Sequence, residues 1–125
     1  MRRVIGVDPG SRKTGYGIIE ISLSKINYVT SGHISVDHEV SPKRLGIIYS
    51  EVLELATSYE VQEMAIEDVF LAKNPNSALK LGQARGVAIA AGIAKDLEIF
   101  EYAARQVKKT IVGKGGASKA QIQHM

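Results

Sequence analysis

Two stretches decide the fold of this chain: VIGVDPG at residues 4–10 and MAIEDVF at residues 64–70. Each contains an apolar run that ends on a carboxylate, Asp8 in the first and Glu67 in the second. Short apolar runs predict buried strands, and an acid at the rim of a buried strand loses water at a cost. If the strands are neighbours, the two carboxylates repel each other, and a divalent cation relieves that repulsion. The pair therefore predicts a carboxylate-held metal site on a sheet.

Each acid also has a simpler explanation that the sequence leaves open. Asp8 is explained equally well as a turn former, because Asp-Pro-Gly is a common turn, and Glu67 as a surface residue on an edge strand. Asp68 competes with Glu67, which we favour because it lies within the apolar run, whereas Asp68 begins the exit loop. Carboxylate oxygens suit Mg²⁺ or Mn²⁺, and such ions serve phosphoryl chemistry.

Composition narrows the class of protein. The 125 residues fit one domain, which we expect to span residues 1–125. There is no cysteine, so disulfides and thiolate metal sites are excluded. No apolar stretch has the length of a signal peptide or of a membrane-spanning helix. We therefore expect a cytoplasmic protein with no membrane partner.

The distribution of charge favours an anionic partner. The net charge is +3, and every acidic residue lies at or before Glu101. The basic residues that follow are Arg105, Lys108, Lys109, Lys114 and Lys119. A segment of one sign attracts polyanions such as nucleic acid, although a solvated surface explains the same pattern equally well.

The pattern along the chain predicts an α/β fold with a mixed sheet. Three strands joined by short turns indicate an antiparallel meander, and helical spacing from Pro42 onward begins an alternation of helices and strands. The predicted strands are residues 3–8, 14–22, 25–36, 61–69 and 98–103. The predicted helices are residues 42–59 with Ser41 as N-cap, 77–96, 104–112 and a start at 119–125. We expect one five-stranded sheet flanked by helices.

Two further features bear on binding. Phe70 follows the second acid and is either an ordinary core aromatic or a loop aromatic that stacks on a base; Lys73 beside it is placed to hold a phosphate. The second predicted helix carries small residues at one-turn spacing, with Leu79 and Val87 nearby: Gly82, Gly86 and Ala90. These residues indicate either tight packing on the sheet or a homodimer interface. The histidines show no ligand spacing, and we take them as incidental.

Several of these stretches together resemble one family. The stretch VIGVDPGS at residues 4–11, with TGYG at residues 14–17, resembles the opening of the RuvC family of Holliday-junction resolvases. AIEDVF at residues 65–70 resembles its second acidic motif, and residues 76–87, NSALKLGQARGV, resemble its long helix. Residues 101–108 and 119–125 match as well, so the resemblance runs along the whole chain.

The resemblance implies a ribonuclease H-like fold and a function. Members cut four-way DNA junctions as homodimers with a divalent metal, Mg²⁺ or alternatively Mn²⁺, and a branch-migration complex of the RuvA and RuvB type is the expected partner. By motif, Asp8 and Glu67 match the first two metal-binding acids. Phe70 matches the loop aromatic at the crossover, and Lys108 and Lys119 match basic residues near the scissile phosphate.

The resemblance also implies a departure. The family supplies further acidic ligands from a C-terminal helix beyond Met125, so we expect that a C-terminal part is missing and that the 125-residue chain binds metal weakly and cuts poorly. Two other classes stay open. One is a nucleotide-binding protein of the actin and sugar-kinase type, for which the chain is short of a second lobe. The other is a junction-binding module without catalysis, in which Asp8 only forms a turn.

Overall fold

The fold is known from a computed structural model that describes residues 1–10, 12–36, 41–68 and 74–102. Its elements are β1 (Arg2–Asp8), β2 (Lys13–Ser22), β3 (Lys25–Ser35), α1 (Ser41–Ser58), β4 (Glu63–Glu67), α2 (Pro75–Ala94) and β5 (Glu98–Tyr102). The strands form one sheet in the order β3-β2-β1-β4-β5. The β1–β2 and β2–β3 pairs are antiparallel, and the β1–β4 and β4–β5 pairs are parallel. The predicted mixed five-stranded sheet is confirmed.

Strand β1 lies at the centre of the sheet, and all its residues from Val4 to Val7 are buried. Ile5 pairs with Met64 of β4, and Val7 pairs with Ile66. These four side chains belong to the core cluster and are between 0 and 2% exposed. Each strand alternates its side chains between two faces, so the face that carries these residues is the core face of the sheet.

Both helices of the described chain pack on that core face. The buried side chains of α1 have helical spacing: Ile48, Val52, Leu55 and Ala56. The buried residues of α2 are small: Ala84, Ala88, Ala91 and Gly92. A β-carbon at Gly92 would stand only 2.8 Å from Cδ1 of Ile99 and 3.0 Å from Cε of Met64. Small residues therefore let α2 lie close to the sheet.

Several element boundaries differ from those predicted. α2 begins at Pro75 rather than at residue 77, because the Asn74 side chain accepts a 2.9 Å hydrogen bond from the backbone N–H of Ser77 and proline suits the first helical position. α1 includes Ser41, which was predicted as its N-cap. β4 is limited to Glu63–Glu67, whereas the prediction began at Val61. The predicted helices at 104–112 and 119–125 lie outside the described residues.

Helix α1 ends in a left-handed residue that turns the chain back into the sheet. Glu60 has φ 52°; its N–H donates to the carbonyl of Thr57 at 3.3 Å, and the N–H of Val61 donates to that of Ala56 at 3.0 Å. This is a Schellman motif, in which terminal carbonyls of the helix are satisfied. It explains why Val61 belongs to the helix end rather than to β4. Asp96, at φ 58°, closes α2 by the same pair of bonds and ends the helix before residue 96.

The left-handed conformation at Glu60 gives a prediction about stability. This conformation costs a residue with a β-carbon about 1–2 kcal/mol, and the larger unfolded-state entropy of glycine offsets part of the gain. We expect Glu60→Gly to raise the free energy of unfolding by about 0.5–1 kcal/mol, measured by urea denaturation. The matched control is Glu54→Gly at an exposed position inside α1, which should lower it by about 1 kcal/mol. Effects of the same sign would contradict the assignment.

Candidate metal centre at the sheet edge

The two predicted acids end the two central parallel strands at one edge of the sheet. The register pairs Val7 with Ile66, so Asp8 and Glu67 are the next residues of neighbouring strands. In-register neighbours on parallel strands point to the same side. Because Val7 and Ile66 point toward the helices, both carboxylates point to the opposite face. Asp8 is exposed and Glu67 half-buried, so both are within reach of a ligand at this edge.

A glycine of β2 lies next to Asp8, on the side away from β4. Asp8 pairs with Gly15 of β2, and Gly15 pairs with His33 of β3. A β-carbon built at Gly15 would lie 3.8 Å from Cβ of Asp8 and 3.6 Å from Cδ2 of His33. The exposed imidazole of His33 therefore stands beside Asp8, with only a glycine between them. Sequence reasoning had set this histidine aside.

The alternation of β4 separates Glu67 from its competitor Asp68. Oδ1 of Asp68 lies 3.3 Å from Nη2 of Arg85 in α2, on the side of the helices. Glu67 points to the face that carries Asp8, and it pairs with Tyr102 of β5. The structure thus brings Glu67, rather than Asp68, to the side of Asp8.

Arg85 fixes the ends of the strands that carry these acids. Its Nε donates a 3.1 Å hydrogen bond to the backbone carbonyl of Glu67, and its Nη2 also lies 2.7 Å from Oε1 of Glu101 in β5. The side chain of Arg85 is only 18% exposed, whereas the side chains of its acidic partners are about half exposed. Nη2 is buried without a hydrogen bond in good geometry, so its interactions with Asp68 and Glu101 are ion pairs rather than hydrogen bonds. One arginine thereby ties α2 to the ends of β4 and β5.

The residues of the site suit a divalent cation in kind but supply few ligands. Oxygen donors on two adjacent strands fit Mg²⁺ or Mn²⁺. Within residues 1–10, 12–36, 41–68 and 74–102, no three His, Cys, Asp or Glu side chains are grouped closely enough to hold a metal ion. Asp8 and Glu67 point to one side from adjacent strands, and their role as metal ligands stays a prediction. Phe70, Lys73, Lys108 and Lys119 lie outside the described residues.

The chain matches a family model described as Crossover junction endodeoxyribonuclease RuvC over residues 4–125. It belongs to the RuvC family. It is 57% identical over 125 residues to the crossover junction endodeoxyribonuclease RuvC of Serratia proteamaculans (strain 568), with 100% of this chain and 72% of that relative covered. It is 54% identical over 123 residues to the protein of that name from Dichelobacter nodosus (strain VCS1703A), with 98% and 70% covered.

Solved structures agree with this membership of the RuvC family. RuvC of T. thermophilus, determined in complex with a Holliday junction substrate, has a TM-score of 0.82 at 26% identity, and the match covers 98% of this chain and 75% of that one. The yeast mitochondrial Holliday junction resolvase Ydc2 shares the fold, with a TM-score of 0.67 at 12% identity over 98% of this chain and 59% of that one. The predicted family and ribonuclease H-like fold are confirmed. Members of the RuvC family are metal-dependent nucleases.

Two residues of this RuvC-family site were missed from the sequence. Arg85 gave no distinct signal, because α2 also carries Lys80 and an arginine on a helix usually has a solvated head. His33 gave no signal, because its position depends on a bulge. The register of β2 and β3 shifts between Ile18 and Ile19, and without this shift Gly15 would face Gly32 instead of His33.

The contacts of Arg85 predict a loss of stability on substitution. We expect Arg85→Gln to lower the free energy of unfolding by about 1–3 kcal/mol, because it removes a bond to the Glu67 carbonyl and leaves two carboxylates uncompensated. Chemical denaturation measures the change. Arg2→Gln is the matched control: Arg2 pairs with Glu63 at 3.5 Å at the other end of β4 and is 52% exposed, so its loss should stay within about 0.5 kcal/mol. Equal losses would show that Arg85 is an ordinary surface cation.

Proposed function

We propose that this protein is a structure-specific endonuclease that resolves four-way DNA junctions by symmetric, metal-dependent nicking in recombination and repair. The observation that carries the proposal is the pair of carboxylates, Asp8 and Glu67, which point to one side from adjacent parallel strands. Membership of the RuvC family supports the reaction, and the junction complex of the T. thermophilus relative supports the substrate.

The metal that we propose is Mg²⁺, with Mn²⁺ as the alternative, held by Asp8 and Glu67. When bound, such an ion activates water and stabilises the leaving oxygen of a phosphodiester. The role of the protein is to hold the two carboxylates at a fixed separation on the sheet. Arg85 contributes by fixing the backbone carbonyl of Glu67.

The remaining site residues act on the DNA in this proposal. Lys119, and Lys108 with it, offset the negative charge that develops at the scissile phosphate and hold the backbone. Phe70 stacks on a base at the crossover, and Lys73 beside it holds a phosphate. Residues 1–125 form one nuclease domain. We expect it to act in the cytoplasm with a branch-migration complex of the RuvA and RuvB type, and no membrane partner is proposed. In the described part of the chain, neither helix has the length and hydropathy of a membrane span.

The metal assignment predicts separate effects on cutting and on binding. In protein expressed from the full reading frame, Asp8→Asn and Glu67→Gln should each reduce nicking of a synthetic four-way junction with Mg²⁺ by about 100-fold or more. Binding to the same junction in EDTA should stay within a few fold, because no DNA-contacting cation is removed. Nicked product is measured on denaturing gels, and binding by fluorescence anisotropy.

Glu63→Gln is the matched control for these substitutions. Glu63 lies on the same strand and face as Glu67 but at the opposite end, where it pairs with Arg2, so nicking should be unchanged. Normal nicking by Asp8→Asn would refute the metal assignment. It would leave the protein as a junction-binding module in which Asp8 only forms a turn.

The second proposal concerns the homodimer that paired nicks require. A twofold axis through the junction places one site on each of two symmetry-related strands. The exposed face of α2 carries apolar and small residues, with Leu79 62% and Ile93 59% exposed and Gly82 and Gly86 between them. A β-carbon at either glycine would meet nothing within 4 Å of it in this chain. The absence of side chains there suits the close approach of a second α2.

The dimer face predicts the effect of one added charge. Leu79→Glu should convert the protein from dimer to monomer at micromolar concentration, because the carboxylate would be desolvated in the interface. Sedimentation velocity measures the change. Leu23→Glu, at a fully exposed position in the β2–β3 turn, is the control and should stay dimeric. A Leu79→Glu protein that remained a dimer would place the interface elsewhere.

A further inference from the structure

A basic notch lies between the N-terminal halves of the two helices, and the proposed active site does not use it. Its lining residues are Arg44, Leu45 and Ile48 of α1 and Lys80, Gln83 and Ala84 of α2. The enclosed volume is only about 10 Å³, so the notch does not hold a small molecule. Its polar lining consists of two cations, Arg44 and Lys80, and the amide of Gln83.

The charges at this notch are not compensated within the described chain. Among the residues that the structure describes, neither Arg44 nor Lys80 has an acidic partner within salt-bridge distance. Neither helix has an acid in its first turn, although a helix N-terminus favours negative charge there. Two cations that line one notch repel each other. Such an arrangement is stabilised when an anion binds to it.

The notch lies at the same edge of the sheet as the carboxylates. α2 begins beyond the end of β4 that carries Glu67, and α1 runs back toward the start of β4, so both helices begin at that edge. Arg85 touches the carbonyl of Glu67, and Lys80 lies about 7.5 Å from Arg85 along the helix axis toward its N-terminus. Lys80 and Arg85 lie about 140° apart around the helix, so the notch is at the same end of the strands as the carboxylates but on the face of the sheet that carries the helices.

The notch is also distinct from the proposed dimer face. Residues of an α-helix are about 100° apart around its axis. On that spacing Lys80 and Ala84 lie about 100° and 140° from Leu79, whereas Gln83 lies only about 40° from it. A dimer formed through the face of Leu79 would therefore adjoin the notch at Gln83 and leave Lys80 on a neighbouring flank of α2.

We infer that Arg44 and Lys80 form a phosphate clamp, which binds the sugar–phosphate backbone of a junction arm on the helix face of the sheet, at the end of the strands where the acids lie. The inference rests on the proposed function and adds a binding surface to it. The guanidinium of Arg44 and the ammonium of Lys80 each contact a phosphate, and the side-chain amide of Gln83, which lines the same notch, donates a further hydrogen bond. Because the clamp contacts no base, it binds arms of any sequence.

The clamp is tested by the salt dependence of junction binding. Each lost phosphate contact lowers the slope of log K against log salt concentration by about 0.9. The double variant Arg44→Gln with Lys80→Gln, in protein expressed from the full reading frame, should lower the slope by about 2 in EDTA. At saturating junction and Mg²⁺ its kcat should match that of the wild type, whereas its KM should rise.

Two further double variants separate charge from fold. Arg44→Lys with Lys80→Arg keeps both charges and should retain the wild-type slope. Lys25→Gln with Lys95→Gln removes two exposed lysines from the opposite edge of the sheet and should also leave the slope unchanged. If this control pair lowered the slope equally, the effect would come from net charge alone, and the clamp would be wrong.

The outcomes distinguish the clamp from the proposed function. If the wild type prefers a four-way junction to linear duplex and Arg44→Gln with Lys80→Gln binds it with the wild-type slope, the clamp is wrong and the nuclease proposal stands. A wild type that neither bound nor cut junctions would overturn the proposed function, and the clamp with it.

Discussion

The parallel register of β1 with β4 is the constraint on which the candidate site depends. It is fixed by the burial of Ile5 and Val7 against Met64 and Ile66. A slip of one residue would turn a whole strand over, and one of the two carboxylates would then face the helices. The packing of the core therefore also fixes the geometry of the site, because side chains alternate along each strand and each acid directly follows a core residue.

The central strands and their acids could be predicted because their signal is local. The apolar run of β1 and the run that ends at Glu67 identify buried strands without knowledge of the rest of the chain. The ends of the helices were harder to predict. Glu60 and Asp96 adopt the left-handed conformation where sequence reasoning expects glycine. Nothing in the residue types marks these turns, and the hydrogen bonds that stabilise them form only in the folded chain.

The residues that support the site could not be predicted, because their partners are distant in sequence. Arg85 reaches the carbonyl of Glu67 across 18 positions, and an arginine on a helix usually has a solvated head. His33 comes beside Asp8 through a bulge in β2–β3 pairing, and a bulge changes which residues share a face. The motifs identify the family, whereas the positions of Arg85 and His33 beside the acid-bearing strands depend on the fold.

One consequence follows from the double use of α2. Leu79 and Gly86 of α2 are exposed, and Arg85 of the same helix holds the backbone of the strand that carries Glu67. A helix moves as a nearly rigid body, so a displacement of α2 is passed to the Glu67 carbonyl through the guanidinium of Arg85. In a dimer formed through this face, as proposed, a shift of α2 would therefore also shift the backbone carbonyl of Glu67 that Arg85 holds.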